Sequence, residues 1–414
     1  MQTPYSECLK HIEDTWDKLT CFQPADHGIH IGLPNRFISP CAHKGIFSDD
    51  QFYWDSYFII LGLVDSGRIE LAKGMVDNLI YMFRRFGIIP SRNRFYNIGI
   101  SQIPFLTSML LEVYEVTGDK EWLKEGTEVA AAELHNYWMD DINAHRHLVY
   151  NGLSRYCDHY IVDLTAEHES GWDTTSRFKT KCLSYLPVDL NTCLWKYEDD
   201  LSKIYKLLGN DMMSEQYSNA ARARKEEMNR LMWNDEKGFF FDYDYVNKEQ
   251  SNFLSLAGFF PLWAGIATEE QAERMVDNLG IFEHEGGLSS TQKDGLLDTF
   301  RQWDHPNGWA PLQWITAAGL KRYGYEEDGR RIAKKWIDLN CRIFETTGSL
   351  WEKYDVVRMT VGIADRYDHK DGFGWTNAIF LRLMNEFNLR PIEEQEIAHI
   401  PLRKGIQAEY CIRS

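Results

Sequence analysis

The feature that most constrains the fold is a long series of amphipathic helical segments joined by short turns of Gly, Asp and Asn. Residues 70–86, for example, place apolar side chains every three or four positions, which is the period of an α-helix. Thr268 and Gln271 have the spacing of a capping box at the start of another helix. The same periodicity predicts helices over 101–116, 121–137, 199–208, 309–323, 326–340 and 373–387, and one that ends near Met232.

No Pro/Ser-rich linker interrupts this series, so we predict a single domain over residues 1–414, with residues 1–30 as an N-terminal helical extension. About twelve helices in successive antiparallel pairs have the connectivity of a toroid with an inner and an outer ring. Short β elements are expected only in loops, and residues 238–246 are predicted to form a hairpin or a loop strand.

The acidic composition excludes several classes of partner. The chain carries 45 Lys and Arg against 62 Asp and Glu, a formal net charge of −17, whereas nucleic acids and anionic membranes attract basic surfaces. No apolar run approaches the roughly 18–20 residues of a transmembrane helix, and the N-terminus lacks the pattern of a secretory signal. We therefore predict a cytoplasmic protein that binds neither nucleic acid nor membrane. The sequence leaves its oligomeric state open.

Metal and disulfide chemistry are not indicated. The eight cysteines are scattered without a CxxC pair, a pattern typical of reduced thiols. His145, His147 and His168 do not have a metal-binding spacing such as HExxH. We therefore predict neither a catalytic metal nor a cofactor.

Five segments depart from simple amphipathic patterning, because each places a carboxylate close to an indole or a phenol. Tryptophan is abundant in the chain, with 14 residues, and several of them fall in these segments. The five segments are 50–57 (DQFYWDSY), 169–177 (ESGWDTTSR), 302–314 (QWDHPNGWAPLQW), 351–355 (WEKYD) and 371–377 (DGFGWTN).

This mixture is the one that a carbohydrate requires. Sugars stack their C–H faces on aromatic rings and pair their hydroxyl groups with carboxylates and amides. Hydrolysis of a glycosidic bond requires two carboxyl groups, one to protonate the leaving oxygen and one to activate water or attack the anomeric carbon. A single Trp-Asp pair is usually a surface turn or a helix cap. Five such segments favour a carbohydrate site, and a core that is merely rich in indoles is the alternative.

At these residues the chain resembles the trehalase family of glycoside hydrolases over roughly residues 30 to 390. The string QWDHPNGWAPLQW is long and highly specific, and QFYWDSYFIILGL, IIPSRNRFYNIGISQIP, ESGWDTTSRF, LPVDLN, EKYDV and DGFGWTN resemble further family segments. The resemblance implies an all-α fold, an (α/α)6 barrel with the active site at one mouth. It also implies hydrolysis with inversion at the anomeric carbon.

The resemblance also implies roles for individual residues. Asp173 of ESGWD matches the general acid of the family, and Glu352 of WEKYD matches its general base. An inverting enzyme requires these carboxyl groups about 6.5–9.5 Å apart, with a water between them. The positions that match the substrate-binding residues of the glycone subsite are Tyr53, Trp54, Asp55, Asn93, Gln102, Gly171 and Trp303.

Several positions depart from the family pattern. The arginine that usually stands before the first signature is missing, and Lys44 is the only cation in that stretch. The arginine before SQPP is replaced by Ile100, and Arg155 cannot be aligned with a third family arginine. The glycine-rich lid is replaced by residues 356–370. Its three cations, Arg358, Arg366 and Lys370, either are solvated loop charges or contact an anionic leaving group.

Three functional hypotheses follow. The first is an inverting α-glycosidase that acts on a small α-linked disaccharide, most simply the hydrolysis of α,α-trehalose to glucose. The second keeps the chemistry and changes the substrate to glucosylglycerate, mannosylglycerate or a kojibiose-type disaccharide. The third is a non-catalytic sugar-binding protein on the same fold.

Overall fold

The chain is predominantly helical in the computed structural model, which describes residues 4–41, 45, 47–143, 145–293, 300–365 and 367–390. The α-helices of these residues are α1 (Pro4–Leu19), α2 (Tyr53–Asp65), α3 (Ile69–Phe86), α4 (Leu106–Thr117), α5 (Lys120–Glu133), α6 (Asp163–Glu169), α7 (Val188–Leu207), α8 (Asp211–Met232), α9 (Phe260–Ala264), α10 (Glu269–Asp277), α11 (Ala310–Arg322), α12 (Glu326–Thr347) and α13 (Gly374–Glu386). A π-helical turn, Leu134–Trp138, extends α5.

Six of these helices form a closed inner ring. They are α2, α4, α7, α9, α11 and α13; each packs against the next, and α13 packs against α2 to close the ring. The closing contact is tight, because a Cβ atom at Gly62 of α2 would lie 2.4 Å from the Cα atom of Ala378 on α13. Inner helices are buried on all sides, and α2 accordingly buries every residue from Tyr53 to Val64.

The outer ring consists of amphipathic helices that cover the inner ones. Its members are α1, α3, α5, α8, α10 and α12. Helix α1 buries Ile12 and Trp16 and packs on α12 and α13. The predicted all-α, (α/α)6 architecture is therefore confirmed. No helix among the described residues is both long and apolar enough to cross a membrane.

Strands in the described residues are short and lie in loops. They are β1 (Thr20–Cys21), β2 (Phe37–Ile38), β3 (Leu148–Tyr150), β4 (Leu153–Ser154), β5 (Tyr185–Leu186), β6 (Trp233–Asn234), β7 (Phe239–Phe240), β8 (Tyr243–Asp244), β9 (Glu249–Gln250), β10 (Glu283–His284), β11 (Gly287–Leu288), β12 (Asn307–Trp309), β13 (Lys353–Asp355) and β14 (Thr360–Val361). The sheets are β1-β2, β3-β4, β5-β8-β9, β6-β7, β10-β11 and β12-β13-β14, and all pairings are antiparallel.

Local predictions were confirmed at some element ends and wrong at others. Thr268 and Gln271 form the expected capping box at the start of α10. The helix expected from residue 101 begins only at Leu106, because Pro104 lacks an N–H and disfavours helical backbone before it. The helix expected from residue 199 begins at Val188. Residues 238–246 form two loop strands, as one of the two alternatives predicted, and not a hairpin with each other, because β7 pairs with β6 while β8 lies between β5 and β9.

Candidate active site

The five signature segments converge on one cavity, and each of them contributes to its wall. Its wall is mostly aromatic, with a few polar side chains, three of which are carboxyl groups. The lining residues are Pro40, Phe47, Phe52, Trp54, Asp55, Gln102, Gly171, Asp173, Trp303, Trp309, Glu352, Tyr367, Phe373 and Trp375. Both residues predicted as catalytic therefore line the same cavity.

The first segment reaches the cavity through the start of α2. Trp54 and Asp55 line the wall, and the backbone N–H of Trp54 donates to Oε1 of Gln102 at 3.3 Å. Tyr53 does not line the cavity, because successive side chains on a helix diverge by about 100°. Its hydroxyl group donates to Oε2 of Glu133 at 3.0 Å, and burial raises the pKa of Glu133 to about 7.

Asn93 is the other predicted subsite residue that does not line the cavity. Its side chain is buried and joins two chain segments instead. The Oδ1 atom accepts a hydrogen bond from the backbone N–H of Gln51 at 2.7 Å, and the Nδ2 atom donates to the carbonyl oxygen of Ile31 at 3.1 Å. We therefore assign Asn93 to the support of the segment that precedes α2.

Gly171 allows the second segment to pass directly over Trp54. Its φ angle is +75°, in the left-handed region, and a Cβ atom there would lie 2.7 Å from Cε2 of Trp54. Only glycine meets both conditions without strain. The close approach places Asp173, two residues later and half-buried, in the cavity wall.

Replacing Gly171 with alanine is expected to lower both stability and turnover. The left-handed backbone costs about 1–2 kcal/mol in a non-glycine residue, and the new methyl group would displace the Trp54 ring. We expect kcat/KM to fall at least about tenfold, measured by steady-state kinetics beside chemical denaturation. Gly118→Ala is the matched control, because its φ angle is +66° and a Cβ atom there meets no atom within 4 Å. Equal kcat/KM values in the two variants would contradict this reading of Gly171.

Buried hydrogen bonds tie the Asp173 loop to the third segment. Asp304 accepts hydrogen bonds from the hydroxyl group of Thr175 at 3.0 Å and from the hydroxyl group of Ser176 at 2.5 Å. The backbone N–H of Thr175 donates to Oε1 of Glu167 at 3.0 Å. Burial raises the pKa of Glu167 to about 8. These bonds fix the position of residues 173–176 relative to residues 302–309.

A column of three indoles connects the two catalytic candidates. The rings of Trp172 and Trp303 have centroids 5.2 Å apart, and those of Trp303 and Trp309 are parallel within 2° at 3.9 Å. Trp172 directly precedes Asp173, and at the other end of the column the ammonium group of Lys353 lies 4.9 Å from the Trp309 ring centroid. Because protein interiors are closely packed, the column fixes the spacing of the two segments.

Glu352 is held from both sides. Its Oε1 atom accepts a hydrogen bond from the hydroxyl group of Tyr367 at 2.7 Å. Its Oε2 atom accepts one from Nζ of Lys353, also at 2.7 Å. The backbone N–H of Glu352 donates to the carbonyl oxygen of Lys370 at 2.9 Å. The carboxylate therefore has a defined orientation at the cavity wall.

The third carboxyl group of the cavity wall is that of Asp55, at the start of α2. Its side chain is fully enclosed, and burial raises its pKa well above the usual range, helped by the negative charges of Glu352 and Asp173. A raised pKa favours the protonated form of a carboxyl group, and that form can donate a hydrogen bond. This arrangement suits an interaction with a sugar hydroxyl group.

Several functional positions were not predicted from the sequence. Phe47 and Tyr367 line the cavity from outside the signature segments, and Phe52 lines it from within the first of them. Trp309 and Trp375 lie within the signature segments, and this membership could have identified them as residues of the cavity wall. Lys353 gave no signal, because a lysine beside a glutamate in a short strand is usually solvated.

The cations considered for the leaving-group side have mixed positions. Arg358 is exposed and pairs with Asp355 at 3.2 Å, and Lys370 is half-buried. Arg155 donates to the backbone carbonyl oxygens of residues 145, 146 and 183, so it has a structural role. Lys44 and Arg366 lie outside the described residues.

Comparison with known proteins identifies the family. The trehalase family matches residues 4–167 and 159–388 of the chain. The neutral trehalase of Saccharomyces cerevisiae has 28% sequence identity over 93% of this chain and 80% of its own, with a TM-score of 0.77. Two more distant structures share the fold. A GH63 mannosylglycerate hydrolase from Thermus thermophilus has 18% identity over 91% of this chain and 99% of its own, with a TM-score of 0.69. A rhamnosidase from Klebsiella oxytoca has 12% identity over 93% and 64%, with a TM-score of 0.59. The chain belongs to the trehalase family and is a glycoside hydrolase.

Proposed function

We propose that this protein is an inverting α-glycosidase that hydrolyses a small α-linked disaccharide, most simply α,α-trehalose to glucose. In this proposal Asp173 protonates the leaving oxygen, and Glu352 activates the water that attacks the anomeric carbon. The observation that carries it is the placement of both carboxyl groups in the wall of one cavity that is otherwise lined mainly by indoles and phenyl rings. That is the pair of groups, and the kind of surface, that glycoside hydrolysis requires.

The surroundings of the two carboxyl groups support these roles. Glu352 accepts hydrogen bonds from a lysine and a tyrosine, which hold its two oxygens in a defined orientation, as a general base needs. Asp173 follows the close approach of Gly171 to Trp54 and lines the same cavity, which supports its proposed position beside the leaving oxygen. The raised pKa of Asp55 supports a role as a ligand for a sugar hydroxyl group rather than as a second base.

The glycone subsite is proposed to consist of the five predicted residues that line the cavity. They are Trp54, Asp55, Gln102, Gly171 and Trp303. The Trp54 ring contacts Trp303 and Trp375 at centroid distances of 5.7 and 5.6 Å, so its orientation is fixed before substrate arrives. Preorganised aromatic faces bind sugars at a low cost in side-chain entropy.

A glycosylglycerate, either glucosylglycerate or mannosylglycerate, is the second candidate substrate, and a kojibiose-type disaccharide is a related one. The departures from the family pattern at the arginine positions and the lid favour this alternative. A hydrolase of mannosylglycerate from Thermus thermophilus also has the same fold over nearly its whole length. With this substrate, a cation within residues 356–370 would pair with the glycerate carboxylate.

A hydrolysis panel tests the proposal and separates the two substrates. The purified protein is incubated with trehalose, kojibiose, sucrose, glucosylglycerate and mannosylglycerate, and released sugars are followed by proton NMR. We expect trehalose to be cleaved to equal initial amounts of β- and α-glucose, because inversion gives the β-anomer from the attacked ring while the leaving glucose keeps its α configuration. Cleavage of a glycosylglycerate without cleavage of trehalose would select the second candidate. Initial release of the α-anomer alone would refute inversion.

We also propose that residues 1–414 form a single catalytic domain and that the protein is cytoplasmic. The closed inner ring, which joins α2 near the start of the chain to α13 near its end, supports a single domain. None of the cysteines among the described residues forms a disulfide bond, which agrees with a reducing compartment. A single cooperative thermal transition and recovery of the native protein in the soluble cytosolic fraction are the expected results.

A further inference from the structure

Lys353 is a buried cation whose charged group lies against the carboxylate proposed as the general base. The side chains of Lys353 and Glu352 are 1% and 3% exposed, and Nζ lies 2.7 Å from Oε2. A buried ammonium group is costly unless it is paired. The position of Lys353 against a carboxyl group of the cavity wall therefore requires a physical reason.

The surroundings of Lys353 hold its side chain in one place. Strand β13 pairs Lys353 directly with Trp309 of β12, and Nζ lies 4.9 Å from the Trp309 ring and 4.8 Å from the Tyr367 ring. Gly362 closes the space along the stem, because a Cβ atom there would come within 2.8 Å of Cγ of Lys353. Cation–π contacts and this confinement fix the ammonium group against Glu352.

Glu352 shares the cavity with two other carboxyl groups, so a neighbouring cation affects the electrostatics of the site. The carboxyl groups of Asp55, Asp173 and Glu352 line the same small cavity, and like charges at short range favour protonation of at least one of them. A general base must keep its carboxylate form and direct one oxygen to a water molecule. Tyr367 is a neutral donor and orients Oε1, whereas Lys353 supplies a positive charge.

We propose that Lys353 is a positioning residue that keeps Glu352 deprotonated and correctly oriented, with the Trp303–Trp309 stack as its support. The proposal rests on the role of Glu352 as the general base. An ordinary buried ion pair would contribute to stability alone, whereas Lys353 would set the pH range over which the enzyme works. The step that it assists is the removal of a proton from the attacking water by Glu352.

The test is the pH dependence of kcat/KM in Lys353→Met, which keeps the length of the side chain and removes its charge. We expect the acidic limb of the profile to move to higher pH by about 1–3 pH units, because an opposite charge within about 4–6 Å favours ionisation by that amount. At a fixed pH on that limb, a displacement of one pH unit lowers kcat/KM about tenfold, and KM is expected to change little. Lys353→Gln is made in parallel, and its circular dichroism and thermal unfolding are compared with those of the parent.

Lys196→Met is the matched control. Lys196 also pairs with a buried carboxylate, that of Asp200 at 2.8 Å, and also lies over an indole, that of Trp263 at 5.6 Å. This control should lose stability while keeping the parental pH profile.

Glu352→Gln separates the proposed role of Lys353 from the proposed role of Glu352 as the general base. If Glu352→Gln is inactive and Lys353→Met has the parental profile, the role of Lys353 is refuted and the proposed function stands. If Glu352→Gln retains full turnover, the base assignment itself is wrong. Failure of both Lys353 variants to fold would make this lysine a structural residue and would also overturn the inference.

Discussion

Asp173→Asn is expected to lower kcat by about 10²–10⁴-fold, the usual contribution of a general acid. The leaving sugar departs as an alkoxide unless its oxygen receives a proton, and asparagine has no acidic proton to give. The substitution preserves size and shape, so the loop held by Asp304 and Glu167 should remain in place. Steady-state kinetics on the preferred substrate of the panel measure the effect, and an unchanged unfolding midpoint shows that the fold is intact.

The leaving group provides a sharper form of this test. An α-glycosyl fluoride of the same sugar should be cleaved by Asp173→Asn with a much smaller loss, because fluoride departs with little help from an acid. Glu352→Gln should lose activity on both substrates, because water activation is needed in each case. Asp365→Asn is the control, since Asp365 accepts a hydrogen bond from Thr174 at 3.0 Å and does not line the cavity. Equal losses on both substrates in Asp173→Asn would refute the acid role.

The ring of helices could be predicted from the sequence because its physical cause is local. Helical periodicity, glycine-containing turns and the capping box at Thr268 are each encoded within about a dozen residues. The closure of the ring was harder to predict from the sequence, because it depends on which helices contact each other in three dimensions. The contact of Gly62 with Ala378 joins positions more than 300 residues apart, and nothing near either residue indicates the other.

The site was predictable at the level of segments and less so at the level of side chains. Trp54, Gly171 and Trp303 line the cavity as expected, whereas Tyr53 and Asn93 face structural partners. Whether a side chain faces the cavity depends on the rotational position of its helix and on the turn before that helix. Both depend on the residue at which the helix begins. The raised pKa of Asp55 arises from three-dimensional burial and neighbouring charges, which a sequence does not show.

Arg177→Met is expected to destabilise the protein by about 3–5 kcal/mol, the cost of removing one partner from a buried ion pair. Arg177 is fully buried and makes two hydrogen bonds to each of two carboxylates, those of Asp189 and Asp242, at 2.6–2.7 Å. Burial disfavours its charge, but the two aspartates outweigh this effect and raise the pKa of the guanidinium group well above its usual value. Denaturant unfolding, monitored by tryptophan fluorescence, measures the loss.

Turnover should fall as well, because the guanidinium group also lies 5.1 Å from the ring of Trp172, the indole that precedes Asp173. The control is Arg85→Met, which removes an arginine with the same two-bond geometry toward Asp26 but at an exposed position, where such pairs contribute less than about 1 kcal/mol. Adding Asp189→Asn and Asp242→Asn to Arg177→Met should restore part of the stability, because the buried charges left without a partner are then removed. A single Arg177→Met variant as stable as Arg85→Met would contradict the role of this cluster. If stability is recovered in the triple variant while turnover is not, the support of Trp172 by Arg177 has a catalytic consequence separate from folding.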